Sequence, residues 1–254
     1  MSYTIILPTD YGQMMVNRHD GNQTGGLLRT GKVIDDQEIK TVCKFIRPGS
    51  NAVDVGACFG AWSLGFAQHA KWVYCFEPQR QVFNQICGTL ALNGIHNIIP
   101  SNVALGSKQC VLDVPKYDYD KQLEVGSFSL CGVGSQPQEA QPSTERVACV
   151  TLDDYKLENV SVIKIDAEGM DLDVLDGSKK TIAQSRPVIY IEILFFSRQQ
   201  VLDVLKGMGY VDCPGDTSNM NMIVFPDELY AFHGMRPDGT HIIEWKGDGP
   251  LQEG

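Results

Sequence analysis

The sequence is poor in three things, and each shortage narrows what the protein does. It has no CxxC pair: its eight cysteines stand singly at 43, 58, 75, 87, 110, 131, 149 and 213, and none joins a histidine at zinc-finger spacing. Cys75 in KWVYCF and Cys149 in RVACV sit inside apolar runs, where cysteine behaves as a small buried hydrophobe. Free thiols in a reducing cytoplasm are therefore expected rather than a disulfide framework. Basic charge is short as well. With 21 Lys and Arg against 31 Asp and Glu the formal charge is −10, which argues against capture of a nucleic-acid backbone along a broad face. Long apolar runs are missing too. VIYIEILFF, from Val188 to Phe196, is interrupted by Glu192 and falls far below the ~20 residues that span a bilayer. MSYTIILPTD lacks the basic flank and the length of a signal-peptide core, so no membrane span is expected.

What is present describes a globular chain: 43% hydrophobic and 20% charged over 254 residues. Glycine and proline divide it into zones. Residues 1–50 hold strand-like runs at Tyr3–Leu7 and Gln13–Asn17, a glycine-rich turn GNQTGG, and a helix over Asp35–Ile46 closed by Arg47-Pro48-Gly49. That makes an N-terminal β-hairpin and helix extension. Residues 51–226 alternate strands (NAVDVGA, WVYCFE, NIIPSNVAL, VSVIKID, PVIYIEIL, MIVFP) with helices (AWSLGFAQHA, QRQVFNQICGTLALNG, GMDLDVLDGSKKTIAQ, SRQQVLDVLKGMG). The alternation predicts an α/β fold with a doubly wound, Rossmann-like parallel sheet. It is broken at about 105–150 by a β-rich insertion with a mobile loop at Gly134–Thr144, and residues 227–254 read as an irregular tail.

In such sheets ligands bind outside the carboxyl ends of the strands. Four segments put charge or glycine there: DVGACFG (Asp54 to Gly60), CFEP with Glu77 23 residues after Asp54, Asn102-Val103-Ala104, and KIDAEG (Lys164 to Gly169). A dinucleotide site needs GxGxxG so that the backbone can approach a pyrophosphate. Here Cys58 stands in place of the second glycine and Ala61 in place of the third. Glu77 still suits a ribose diol, at about 1.5–3 kcal/mol for each hydrogen bond to a charged acceptor. A ribose-bearing cofactor without pyrophosphate, facing acidic side chains, points to S-adenosyl-L-methionine, whose sulfonium and ammonium are cationic.

The ordered set DVGACFG, CFEPQRQVF, LALNGIHN, NVALGS, VTLDDY, VIKIDAEGMDLDVLDG and PVIYIEI resembles the FkbM-type S-adenosylmethionine-dependent methyltransferases over roughly residues 31–226. The resemblance implies the class I methyltransferase fold, seven strands with the last antiparallel. It also implies methyl transfer to a hydroxyl oxygen, often on a sugar or polyketide-type metabolite. By position it places Asp54, Gly56 and Gly60 in the cofactor loop, Glu77 on the ribose, Asn102, Val103 and Ala104 at the adenine edge, and Asp166 beside the transferred methyl. The chain departs from the family at Cys58-Phe59, where a small or polar residue is common.

Methyl transfer needs the acceptor oxygen aligned within about 3–3.5 Å and its proton removed. Asp166 is the first candidate base, with Glu168 two residues on. Lys164 and Asp166 share one strand face by the two-residue period, and a lysine in an apolar strand needs a partner; Glu192 is the one expected. The alternatives are a relay of Lys164, Asp166 and Glu192, or a structural Lys164–Glu192 pair with Glu168 capping the next helix. No metal site is expected: Asp166 and Glu168 could offer oxygens to Mg²⁺, but no third ligand stands at convincing spacing. His233 and His241 fit no metal motif. Asp153-Asp154 reads as a turn cap, Asp113, Asp118 and Asp120 as a solvated hairpin, and Tyr11 and Asn17 as candidate substrate contacts. The leading expectation is an O-methyltransferase acting on a small molecule or glycan. Its rivals are a nucleotide-handling oxidoreductase, which Cys58 disfavours, a nucleic-acid ribose methyltransferase, and a cofactor-binding relative without turnover. Base-amino methylation would want an Asn/Asp-Pro-Pro-aromatic loop where this chain has Asp166-Ala167-Glu168-Gly169.

Overall fold

The computed structural model describes residues 2–127, 141–213, 220–235 and 241–246. The N-terminal arm consists of β1 (Thr4–Thr9), β2 (Gly12–Asn17), α1 (Gln23–Thr30) and α2 (Asp36–Cys43). Then come β3 (Asn51–Val55), α3 (Ala61–Ala67), β4 (Trp72–Phe76), α4 (Arg80–Asn93) and β5 (Ile98–Ser101). The insertion holds β6 (Ala104–Leu105), β7 (Cys110–Lys116) and β8 (Gln141–Val150). The second half runs β9 (Val160–Ile165), α5 (Asp171–Asp176), α6 (Lys179–Ser185), β10 (Val188–Glu192), α7 (Arg198–Lys206), β11 (Tyr210–Asp212), β12 (Asn221–Pro226), β13 (Tyr230–Met235) and β14 (His241–Trp245).

Seven strands form the central sheet in the order β11-β12-β10-β9-β3-β4-β5. β3, β4, β5, β9 and β10 are parallel, and β12 runs antiparallel to both β10 and β11. The expected doubly wound sheet with an antiparallel last strand is therefore present. Central strands are apolar on both sides because helices cover both. All six residues of β9 are buried. Alternate residues divide between two cores: Ala52, Val162 and Val188 pack with Phe66 and Ile86, while Val53, Ile163 and Ile189 pack with Leu175, Val201 and Leu205.

Several local expectations change. GNQTGG is not merely a turn, since α1 starts inside it; Asp20 accepts a hydrogen bond from the Thr24 amide at 2.7 Å, and Gly26 leaves room for Ile34. GMDLDVLDGSKKTIAQ splits into α5 and α6 around Gly177, where a Cβ would lie 2.0 Å from the Gly106 carbonyl oxygen. The insertion is a three-stranded sheet in the order β6-β8-β7. Of the loop expected at Gly134–Thr144, residues 134–140 lie outside the described residues and Gln141–Thr144 open β8. The tail read as irregular contains the antiparallel β13–β14 hairpin, with Tyr230 opposite Trp245. Asp153 receives the Lys180 and Thr181 amides at the start of α6, and Asp154 closes a capping box with Thr151.

The arm is fastened at both ends. β2 docks on α4, where the Met15 amide donates to Thr89 Oγ1 at 2.9 Å and Asn93 brackets the Gln13 backbone. Asp20, 3% exposed, receives the Val125 amide at 2.9 Å as well as that of Thr24. Asp20→Ala strips the acceptor from two buried amides and should cost about 2–4 kcal/mol, read as a lower urea midpoint at unchanged slope.

Candidate active site

The strand order reverses between β3 and β9: the chain winds outward through β4 and β5, then returns to β9 and winds the other way through β10. Ligands of open α/β sheets bind at such a reversal. A cavity of about 780 Å³ opens there. At its edge Gly56, with φ of +71°, lets the turn after β3 close on the end of β9, since a Cβ on it would lie only 1.8 Å from the Asp166 carbonyl oxygen. The turn continues through Cys58, which adopts a left-handed φ of +49° and donates its amide to Glu77 Oε2 at 2.9 Å. Glu77 Oε1 receives the Gln79 amide at 2.8 Å. Burial pushes the Glu77 carboxyl up to about 7, against the downward pull of those two amides.

Lys164 ties the two central strands together. Its Nζ donates to the carbonyls of Val55 (3.1 Å) and Gly56 (2.7 Å), and it lies 3.6 Å from Asp54 Oδ1 and 3.4 Å from Asp166 Oδ2. Burial disfavours the ammonium, but Asp166 and Asp54 outweigh it and hold the lysine charged. This corrects the expected Lys164–Glu192 pair. The register sets Tyr190 opposite Lys164, so Glu192 stands beyond Ile165, level with Asp166.

Asp166, Glu168 and Glu192 instead converge, with one oxygen from each within 4.8 Å of the others. Glu192 is thus the third carboxylate that sequence spacing could not supply. One of its oxygens is buried without a hydrogen-bond partner. Burial, then the neighbouring Asp166, pushes Glu168 up to about 8 and Glu192 to about 9. The cluster suits a cation in general, and no further feature selects a metal. At the N-cap of α5 stands Met170, whose side chain makes no cap. Asp171, fully buried, shapes this loop by accepting the Ala167 and Gly169 amides.

All four candidate catalytic residues, Asp166, Glu168, Lys164 and Glu192, line the cavity, as do Gly56, Glu77, Val103 and Ala104. Asp54, Gly60 and Asn102 do not. Asp54 is fully buried and holds Ser63 Oγ at 2.6 Å; Gly60, at φ of +87°, turns the chain into α3; Asn102 donates to the carbonyls of Glu77 and Pro78. Their place is behind the cavity wall. Tyr11 and Asn17 miss the cavity too, bonding to Asp36 and to the Tyr119 carbonyl. Asp153 and Asp154 are likewise absent from its lining. The His233 and His241 side chains lie outside the described residues.

The far wall was not legible in any motif. Asp35, at the start of α2, lines the cavity, accepts from Trp62 Nε1 at 3.0 Å and adds its charge to the field on Lys164. Trp62 and Tyr190 pack in a tilted pair with centroids 4.6 Å apart. Leu27, Val33, Ile34, Leu194, Phe195 and Met220 complete an apolar half.

A seven-stranded sheet in this order, with a carboxylate-lined cavity at its reversal point, defines a class I, Rossmann-like methyltransferase domain. Residues 54–211 match the methyltransferase FkbM domain, and the chain belongs to that family. Among solved structures, the methyltransferase FkbM from Methylobacillus flagellatus KT is 14% identical, with a TM-score of 0.48 over 80% of this chain and 60% of that one. An rRNA methylase from Streptococcus thermophilus is 14% identical, TM-score 0.44, over 74% and 92%. TYW2 from M. jannaschii, in complex with AdoMet, is 13% identical, TM-score 0.48, over 88% and 84%. The chain thus spans less than two thirds of the M. flagellatus protein. No curated protein matches it. No helix among the described residues is long and apolar enough to cross a membrane.

Two outcomes follow from this electrostatics. Glu168 and Glu192 keep their protons in the folded chain up to about 8 and about 9, whereas the ordinary value is 4.5. Over that window the unfolded state binds fewer protons, so stability falls as pH rises. The thermal midpoint should drop between pH 6 and 9.5 (on the order of several degrees), and Glu192→Gln should flatten the drop. Lys164→Met leaves Asp54 buried without its counter-charge and should cost about 3–5 kcal/mol in urea unfolding.

Proposed function

We propose that the protein transfers a methyl group from S-adenosyl-L-methionine to a hydroxyl oxygen of a small molecule or sugar. The observation that carries this reading is a single cavity lined by Glu77 at one side of the Gly56 turn and by Asp166, Glu168 and Glu192 at the other. The residues fit the cofactor. Each Glu77 oxygen already accepts one backbone amide, which leaves one acceptor direction on each for a ribose hydroxyl. Cys58 rather than glycine in the turn suits a ligand without pyrophosphate. Val103 and Ala104 form an apolar edge suited to adenine, and the acidic lining favours a cation. When bound, the cofactor supplies an electrophilic methyl group.

The chain's own work is orientation and proton removal. Asp166, about one-third exposed, faces the cavity with Lys164 behind it, so its carboxylate is ready to take the acceptor hydroxyl's proton. Such general-base help is worth roughly 10²–10⁴-fold in rate. Glu168 and Glu192 carry protons at neutral pH and can donate hydrogen bonds to the acceptor. The apolar half, from Leu27 to Met220, favours an acceptor with an apolar face over a phosphate chain, in keeping with the overall charge of −10.

Calorimetry with S-adenosylhomocysteine and a mass-spectrometric methylation screen over hydroxylated acceptors test this. One-to-one binding is expected, weakened roughly 10–100-fold by Glu77→Gln, which loses charge-assisted hydrogen bonds. Asp166→Asn should bind S-adenosylhomocysteine within about threefold of the parent and lose roughly 10²–10⁴ in turnover. Absent binding removes the cofactor assignment, full turnover by Asp166→Asn removes the base, and binding without turnover on any acceptor marks a relative that only holds the cofactor.

A further inference from the structure

The insertion carries a pair of thiols that the cavity chemistry leaves unused. Cys110 opens β7, Cys149 lies near the end of β8, and the antiparallel register sets them directly opposite one another. Opposed residues in such a pair hold their Cα atoms about 4.5–5.5 Å apart, inside the roughly 4.4–6.8 Å that a disulfide bridges. The two thiols lie close enough for each to act on the other electrostatically. Cys149 is 2% exposed, and its sulfur packs beside Gly106 and Met170: a Cβ on Gly106 would lie 2.9 Å from Cys149 Sγ and 3.0 Å from Met170 Cε. Cys110 is half-buried, so a reagent in solution meets it first. No other cysteine pair among the described residues faces across a strand register.

We propose that Cys110 and Cys149 are a site of intramolecular disulfide formation, closed by exchange with a small-molecule disulfide. The Cys110 thiolate attacks one sulfur of the reagent; that S–S bond breaks, one thiolate leaves, and a mixed disulfide remains on Cys110. Cys149 gives up its proton to solvent base and its sulfur attacks Cys110 Sγ, expelling the second thiolate. Two protein thiols lose two electrons and two protons, and the reagent is reduced to two thiols. Burial, then Cys110, pushes the Cys149 thiol up to about 12, so the second step is the slower one. Closure draws the Cys149 sulfur to about 2.05 Å from that of Cys110. That changes its packing on Met170, which lines the cavity one residue past the Glu168-Gly169 turn. Nothing in this depends on methyl transfer.

The test uses the full chain and glutathione disulfide, with acid quenching, alkylation after unfolding and peptide mapping by mass. Conditions are set by Cys149→Ala, in which Cys110 should acquire and keep one glutathione. Under those conditions the parent chain should instead show a Cys110–Cys149 cross-link, two hydrogens lighter than the reduced form, within a single chain. Glutathione retained on Cys110 in the parent would overturn the pairing, as would a link from either cysteine to a different one. An unmodified Cys110 in Cys149→Ala would overturn its role as the entry point.

Discussion

One buried ammonium organises the centre of this molecule. Lys164 projects from β9 into the seam where the strand order reverses, and it holds the end of β3 and the Gly56 turn by two carbonyls and one carboxylate while touching Asp166 just past its own strand. A lysine at 2% exposure survives only because Asp54 and Asp166 compensate the lost hydration. The same group therefore does two jobs. It locks the Gly56 turn against the sheet, and it sets a positive charge 3.4 Å behind Asp166 at the mouth of the cavity. Without it, Asp54 would be an uncompensated charge in the core and the turn that admits a ligand would lose its anchor.

The carboxylates ahead of Lys164 differ in their surroundings. Asp166 stands next to the ammonium, whereas Glu168 and Glu192 face like charges and apolar walls and hold their protons at neutral pH. Two of the three acids thus offer the cavity hydrogen-bond donors at neutral pH, while the third lies against an ammonium. A cationic ligand entering this field would draw the two donors back toward ionisation, so its binding and proton release are linked.

Much of this could be read from residue patterns. Alternating apolar strands and helical repeats mark the sheet because both faces of β3, β9 and β10 are covered, and a strand-ending acid followed by glycine marks the ligand turn. Proximity across strands was harder. Whether Lys164 meets Asp54 or Glu192 depends on register, which a single strand does not encode, and the expected Glu192 partner gave way to Asp54. Asp171 closing the loop, Gly177 breaking a helix against Gly106, and Asp35 facing the cavity depend on contacts between segments far apart in sequence. The β13–β14 hairpin was missed because glycine and proline in the tail suppress the period-two signal that its strands carry.

The arm that supplies Leu27, Val33, Ile34 and Asp35 to the cavity lies ahead of residue 54, where the family match begins. Part of the cavity wall is consequently built from chain that the matched domain does not itself supply. Substitutions at Leu27, Val33 or Ile34 would therefore recut that wall while leaving Glu77 and its two amides in place.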